Sequence, residues 1–216
     1  MIEGIDVSSW QGAIDWRKVK EAGVAFAYIK ATEGATYVNP GFARDWQLSR
    51  DCGIVRGAYH FLSPASAVEE QVESFARTVG ALEPGDLPPA LDMEGDKWAP
   101  VPLAQRRQFL CRWLQEARAV LRAAPLVYIG YYFARDMLDT ATIDGADLAG
   151  HPLWVPNWNS VDRPLIPPPW QDWTIWQYTS KGAVDGIQGH VDRNRYNGAS
   201  LQALTIPNAQ PESTQA

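Results

Sequence analysis

Hydrophobic and polar positions along the chain form eight short apolar runs, each ending in polar or glycine-rich residues. The runs are "EGIDVSSW", "VAFAYIKATEG", "GIVRGAYHFL", "PPALDMEG", "PLVYIGYY", "PLWVPNW", "DWTIWQYTS" and "GHVDRNRY". Segments that can hold helices follow each of the first five. The clearest, "AVEEQVESFARTVGAL", places Val68, Val72, Phe75 and Val79 at helical spacing. Strands that alternate with helices are typical of βα units and a parallel sheet.

The pattern changes after the sixth run. "NSVDRPLIPPPWQ" separates the sixth and seventh runs, and its four prolines exclude a helix interior. "SKGAVDGIQG", between the seventh and eighth, is too short for the crossover that parallel neighbours need. We therefore predict an α/β fold: a TIM-like barrel of eight strands with about five βα units. A helix-poor end that includes an antiparallel pair closes it.

Only one domain is expected, because the chain of 216 residues contains no internal repeat. We assign residues 1–205 to the barrel. The remaining residues, 206–216, form a polar segment rich in Pro, Gln and Ser, "IPNAQPESTQA". This composition predicts a flexible C-terminal tail.

Charge and hydropathy narrow the classes of partner. The net charge of −6 argues against a nucleic-acid binder, which carries a basic surface. No run approaches the roughly 18 apolar residues of a membrane span, so no membrane insertion is expected. The N-terminus "MIEGIDVSSW" lacks the basic and apolar regions of a secretory signal. We expect a monomer made in the cytoplasm.

Two carboxylates lie one residue apart in the fourth run. Asp92 and Glu94 point to the same face of a strand, and like charges that close should raise one pKa. Asp6 follows the start of the first run and Asp192 lies in the last, and those two strands become neighbours when the barrel closes. Because the chemistry of such barrels lies at the C-terminal strand ends, the four acids should meet at one mouth.

Aromatic and amide side chains occupy equivalent positions in the other runs: Tyr28, Tyr59, Tyr128, Trp154 and Gln177. The chain also contains ten tryptophans, and flat rings near a site suit the faces of sugars. An acidic bowl walled by aromatic rings favours glycoside hydrolysis, with these five residues binding substrate.

Less specific interpretations remain open at this point. A single Asp at a strand end, such as Asp6, more often caps a turn or helix. Asp92 and Glu94 could lie on the solvated face of an edge strand, or could bind Mg²⁺ or Ca²⁺. Each of the three histidines fits a structural role better than that of a base. We expect no metal and no cofactor.

The ordered motifs resemble those of glycoside hydrolase family 25, a family of lysozymes. "GIDVSSWQG", "AYIKATEG", "GAYHF", "LDMEG", "LWVPNW", "IWQYTS" and "GHVDRNRY" follow the family's order over roughly residues 3 to 197. The resemblance implies an irregular (β/α)5β3 barrel. It also implies cleavage of the β-1,4 bond between N-acetylmuramic acid and N-acetylglucosamine in bacterial peptidoglycan.

Carried over residue by residue, the resemblance makes Glu94 the general acid. Asp92 would assist the 2-acetamido group of the substrate or a water, and Asp6 and Asp192 would complete the acidic cleft. Tyr59, Trp154 and Gln177 match positions that hold the sugar. The "VPNWNSV" run and the proline-rich loop after it depart from the family's pattern, which leaves the outer subsites open.

Phage release, wall remodelling and attack on competitors all remain open as biological roles. The missing secretory signal favours a phage-type lysin that reaches the bacterial wall after its release. Two rival classes remain: a non-catalytic glycan-binding protein on the same barrel, and a metal-dependent hydrolase.

Overall fold

The computed structural model describes residues 1–143, 148, 150–158 and 162–208. Within these residues the strands are β1 (Ile2–Val7), β2 (Phe26–Glu33), β3 (Tyr37–Val38), β4 (Val55–Phe61), β5 (Ala90–Asp92), β6 (Leu126–Tyr128), β7 (Leu153–Pro156), β8 (Ile175–Gly182) and β9 (Val191–Tyr196). The α-helices are α1 (Trp16–Glu21), α2 (Phe42–Asp51), α3 (Val68–Val79) and α4 (Leu103–Leu121).

Eight of these strands close into a barrel. Their order is β1-β9-β8-β7-β6-β5-β4-β2, and parallel pairing of β1 with β2 completes the ring. Strand β9 runs antiparallel to both of its neighbours, β8 and β1. The predicted α/β barrel with an antiparallel pair at its helix-poor end is therefore confirmed. Strand β3 was not predicted, because this two-residue strand pairs only with the end of β2, outside the ring.

Helix α3 lies where the spacing of apolar residues predicts it. Val68, Val72, Phe75 and Val79 of α3 are all buried against the barrel. The segment after the fifth run, "RDMLDTATI", was also expected to hold a helix. It forms a short π-helix (Phe133–Leu138) followed by a 3-10 helix (Thr140–Thr142). Among the described residues, no helix is both long and apolar enough to cross a membrane.

Aromatic rings fill the interior of the barrel. They belong to Phe26, Tyr28, Tyr59, Tyr128, Trp154 and Tyr196. Two glycines make room for them: a Cβ on Gly4 would lie 2.4 Å from the Phe26 ring, and one on Gly57 would lie 2.4 Å from the Tyr28 ring. This packed interior forms the floor of the barrel mouth.

The C-terminal segment remains attached to the barrel beyond the predicted boundary. The Ile206 N–H donates to the Asp86 carbonyl at 2.8 Å, and the Gly85 N–H donates to the Ile206 carbonyl at 3.0 Å. Residues 209–216 of the predicted tail lie outside the described residues.

Candidate active site

The strand ends bring all four predicted acids into one cavity of about 250 Å³. Asp6 on β1 lies directly opposite Asp192 on β9. Asp92 is the last residue of β5, and Glu94 follows two residues later while Met93 between them is buried in the outer core. The alternation expected for this segment therefore directs both carboxylates to the cavity and the apolar side chain away from it.

Four of the five predicted aromatic and amide residues also line this cavity: Tyr59, Tyr128, Trp154 and Gln177. The structure corrects the prediction for Tyr28, which is fully buried and does not line the cavity. Its ring packs against Trp154 at 4.8 Å, and its hydroxyl donates to the Pro88 carbonyl at 2.9 Å, just before β5 begins. Tyr28 therefore belongs to the floor of the barrel.

The cavity has six further lining residues that the sequence did not predict: Ser8, Trp10, Lys30, Phe61, Trp158 and Ser180. The alternation along strands could have found two of them. Lys30 lies two residues after Tyr28 on β2, and Phe61 lies two residues after Tyr59 on β4, so each continues an inward-facing series to the mouth.

A hydrogen-bond network fixes Asp6. Its Oδ2 accepts from Gln177 Nε2 at 2.9 Å and from Asn194 Nδ2 at 2.8 Å. Gln177 Oε1 accepts in turn from the Tyr128 hydroxyl at 3.0 Å and from Trp158 Nε1 at 2.9 Å. The network thus ties the buried carboxyl to an aromatic ring at the mouth.

Burial and mutual repulsion favour the protonated forms of the acids on β1 and β9. Burial, reinforced by Asp192, raises the pKa of Asp6 to about 8. Burial also raises the pKa of Asp192 to about 6. Because two carboxyls this close titrate as a pair, the pair retains a proton at neutral pH.

The acids on the β5 segment are raised as well. Burial, with a contribution from Asp192, raises the pKa of Glu94 above its ordinary value, and Lys30 and Lys97 partly offset this. Burial and then Glu94 raise the pKa of Asp92. Within the described residues, Asp92 Oδ1 is buried and has no hydrogen-bond partner. The Asp92 side chain nevertheless lines the cavity, and burial favours the protonated form of Glu94.

The histidine next to the cavity residue Tyr59 is structural. His60 faces outward from β4, where its ring nitrogens contact Thr32 Oγ1 at 2.7 Å and Gln71 Oε1 at 3.0 Å. Its ring stacks on Trp113. Burial lowers the pKa of His60 to about 4, so it stays neutral away from the acids.

Comparison with known proteins identifies the family. The family model for glycosyl hydrolases family 25 matches residues 5–187 of this sequence. This chain belongs to that family. It is therefore a glycoside hydrolase, and the resemblance seen in its motifs is confirmed.

Its relatives and structural neighbours support the same family assignment. Lysozyme M1 of Streptomyces globisporus is 36% identical over 211 residues, covering 96% of this chain and 71% of the relative. The N,O-diacetylmuramidase of Chalaropsis sp is 26% identical, covering 88% of this chain and 96% of the relative. The crystal structure of the bacterial lysozyme from Streptomyces coelicolor superposes with a TM-score of 0.87 at 35% identity, covering 94% of this chain and 96% of that one.

A cationic wall borders the acids of this family 25 hydrolase. Lys30 Nζ donates to Glu33 Oε2 at 2.6 Å, and Lys97 Nζ donates to Glu33 Oε1 at 3.0 Å. Both ammonium groups lie over the Phe61 ring, 4.5 and 4.4 Å from its centroid. Two lysines bridged by one carboxylate leave a net positive charge beside Asp92 and Glu94.

We expect Lys30→Met to move the pH profile of the hydrolase toward alkaline pH. The ammonium favours the ionised forms of Asp92 and Glu94, so its removal raises both pKa values. Both limbs of the bell-shaped profile should therefore move to higher pH. The measurement is kcat/KM against pH on a soluble muropeptide oligomer.

Lys18→Met, on the exposed surface of α1, is the matched control and should leave the profile in place. A Lys30→Met profile that coincides with that of the unmodified protein would show that this charge does not act on the acids.

Proposed function

We propose that this protein is an N-acetylmuramidase that hydrolyses the β-1,4 bond between N-acetylmuramic acid and N-acetylglucosamine in peptidoglycan. The observation that carries the proposal is the meeting of four carboxyl groups, all with raised pKa values, in one aromatic-walled cavity. Such a cavity supplies both an acid and negative charge for a positively charged sugar transition state. The printed names of the relatives, lysozyme and muramidase, support the choice of substrate.

Glu94 is the general acid in this mechanism. It is half-buried at the mouth, and burial raises the pKa of its carboxyl group, which favours the protonated form that an acid catalyst needs. Donation of that proton to the glycosidic oxygen makes the departing sugar a neutral alcohol. Lys30 and Lys97 limit the rise in the pKa of Glu94, so the proton remains available for transfer.

Asp92 assists the sugar whose ring becomes positive. Its carboxyl group lines the cavity and can accept a hydrogen bond from the N–H of the 2-acetamido group, or can orient a water. Either contact strengthens as charge develops on the ring. Asp6 and Asp192 complete the acidic cleft, and the Gln177 and Asn194 amides hold Asp6 in place. Tyr59, Tyr128 and Trp154 provide the walls against which the sugar packs.

The proposal is tested on purified bacterial cell walls. Clearing of a wall suspension should be accompanied by new reducing ends, and borohydride reduction should convert those ends to muramitol. Reduced glucosamine ends would mean that the other glycosidic bond is cut, and wall binding without clearing would support the non-catalytic rival.

We expect wall clearing to survive exhaustive dialysis against EDTA. The proposed mechanism uses the carboxyl groups as acid and electrostatic stabiliser and requires no ion. Among the described residues, no group of three or more His, Cys, Asp or Glu side chains is placed to hold a metal ion. The measurement is the rate of wall clearing before and after dialysis. Loss of clearing that one added divalent ion restores would favour the metal-dependent rival.

A further inference from the structure

A second groove continues from the catalytic cavity on the far side of Glu94. Its volume is about 240 Å³, and it shares Glu94 and Trp158 with the cavity. Its other walls come from the residues after β6, including Tyr131 and Tyr132, and from Leu165. We call it the aromatic groove. Glu94 therefore lies between two contiguous binding spaces.

The walls of the aromatic groove are exposed apolar surface. Tyr132 is 59% exposed, Trp158 57% and Leu165 43%. Large apolar side chains gathered around a concave surface commonly mark a ligand site. Tyr131 and Tyr132 pack edge to face, with ring centroids 5.4 Å apart, and the Arg135 guanidinium lies 5.1 Å from the Tyr132 centroid. These contacts hold the rings in place before any ligand arrives.

Hydrogen bonds also hold the opposite wall. Trp158 Nε1 donates to Gln177 Oε1 at 2.9 Å, which orients the indole between the two spaces. Asn157 Oδ1 accepts from the Leu165 N–H at 2.9 Å, and the Asn157 carbonyl accepts from Trp176 Nε1 at 2.8 Å. A groove with fixed walls loses little conformational entropy when a rigid ligand binds.

The charge of the groove identifies the class of ligand. Among the described residues that line it, Glu94 is the one charged side chain. Arg135 lies behind the tyrosines and is paired with Asp136 at 2.6 and 2.8 Å. Among the described lining residues, an acidic stem peptide would therefore find no cation to pair with. An uncharged pyranose offers a C–H face that packs on exposed aromatic rings.

The position of Glu94 indicates which sugar occupies the groove. A general acid protonates the oxygen that joins two sugars, so those sugars lie on either side of it. Asp6, Asp92 and Asp192 all line the catalytic cavity, which therefore takes the sugar that becomes positively charged. The departing sugar must therefore lie on the other side of Glu94.

We propose that the aromatic groove binds the departing sugar, an uncharged N-acetylhexosamine, packed between Trp158 and the Tyr132–Leu165 side. This assignment rests on the proposed muramidase function. Tyr132 and Leu165 are specificity-determining residues, because contacts to the departing sugar hold its glycosidic oxygen against Glu94.

The test compares one donor sugar carrying two different leaving groups. The substrates are a peptide-free oligomer of alternating N-acetylglucosamine and N-acetylmuramic acid, and the β-glycosyl fluoride of the same donor. Tyr132→Ala and Leu165→Ala should each lower kcat/KM on the oligomer about 10-fold or more, the scale of a lost apolar contact in a specificity pocket. Fluoride leaves the groove empty, so turnover of the fluoride should be unchanged.

Val120→Ala, at an exposed position on α4, is the matched control and should leave both activities unchanged. Both groove residues are exposed, so melting temperatures should also stay the same. Equal loss on both substrates, or no loss on either, would overturn the assignment. A loss confined to peptide-bearing oligomers would place the stem peptide in the groove and would overturn it too.

Assays of the unmodified protein test the proposed muramidase function separately. If it fails to cleave the oligomer, the muramidase proposal falls. If it cleaves the oligomer and the groove variants match it, the groove assignment alone falls.

Discussion

Glu94→Gln is expected to lower kcat/KM on a soluble muropeptide oligomer by about 10²–10⁴-fold, the usual contribution of a general acid. The amide keeps the shape of the carboxylic acid but cannot release a proton to the glycosidic oxygen. Removal of an acid with a raised pKa also relieves repulsion with Asp192, so the fold should be retained. Circular dichroism and thermal unfolding check that expectation.

A matched control comes from the same substitution at a solvent-exposed position. Glu73→Gln lies on the exposed face of α3 and should change neither activity nor stability measurably. A Glu94→Gln protein that keeps more than about a tenth of the activity would remove Glu94 from the role of general acid, given the usual size of this effect.

Asp92→Asn is expected to lower kcat/KM by about 10²-fold, the cost of losing one preorganised electrostatic contact. The substitution removes the negative charge of Asp92 and replaces one carboxyl oxygen with an N–H donor, so the side chain that lines the cavity serves the acetamido N–H less well. The asparagine is isosteric and uncharged, so burial should not destabilise it as it does a carboxylate.

The residual activity of Asp92→Asn should peak at more acidic pH. Two neighbouring carboxyls lose their last proton with a raised apparent pKa, whichever of them holds it. With Asp92 neutral, Glu94 ionises more easily, and the alkaline limb of the kcat/KM profile should fall to lower pH. An alkaline limb that stays in place, or rises, would mean that the two carboxyls do not interact.

Glu94→Gln and Asp92→Asn distinguish loss of the proton donor from a change in the charge beside it. Glu94→Gln should remove activity at every pH, because no donor remains. Asp92→Asn should leave a bell-shaped profile that is lower and displaced, because the donor remains while its neighbour has changed. If both proteins gave the same flat, inactive profile, the division of roles between Asp92 and Glu94 would be unsupported.

The sequence by itself determined the order of strands and helices and the place of the four acids. A period of two assigns Asp92 and Glu94 to one face and Met93 to the other, and the structure has them so. Closure of the barrel makes the first and last strands neighbours, which places Asp6 opposite Asp192. These conclusions need only local periodicity and the rule that the sheet closes.

The tertiary structure decided how deep each inward-facing side chain lies in the barrel. Tyr28 and Tyr59 both face inward, and nothing in their local sequence separates them. Tyr28 pairs with Gly57, and its ring fills the space that this glycine leaves, whereas Tyr59 pairs with Lys30 higher on the sheet. The stagger between strands fixes this difference, and stagger depends on pairing between distant segments.

The walls of the site were also decided by long-range contacts. Lys97 reaches Glu33 across 64 positions of the chain, and Trp158 is held by Gln177 on the next strand. Alternation along a strand indicates which way a side chain points, but it carries no information about which loop will fold over it. The sequence therefore determined the acids that define the chemistry, and the packing of loops against the barrel determined the charge beside them and the aromatic groove beyond them.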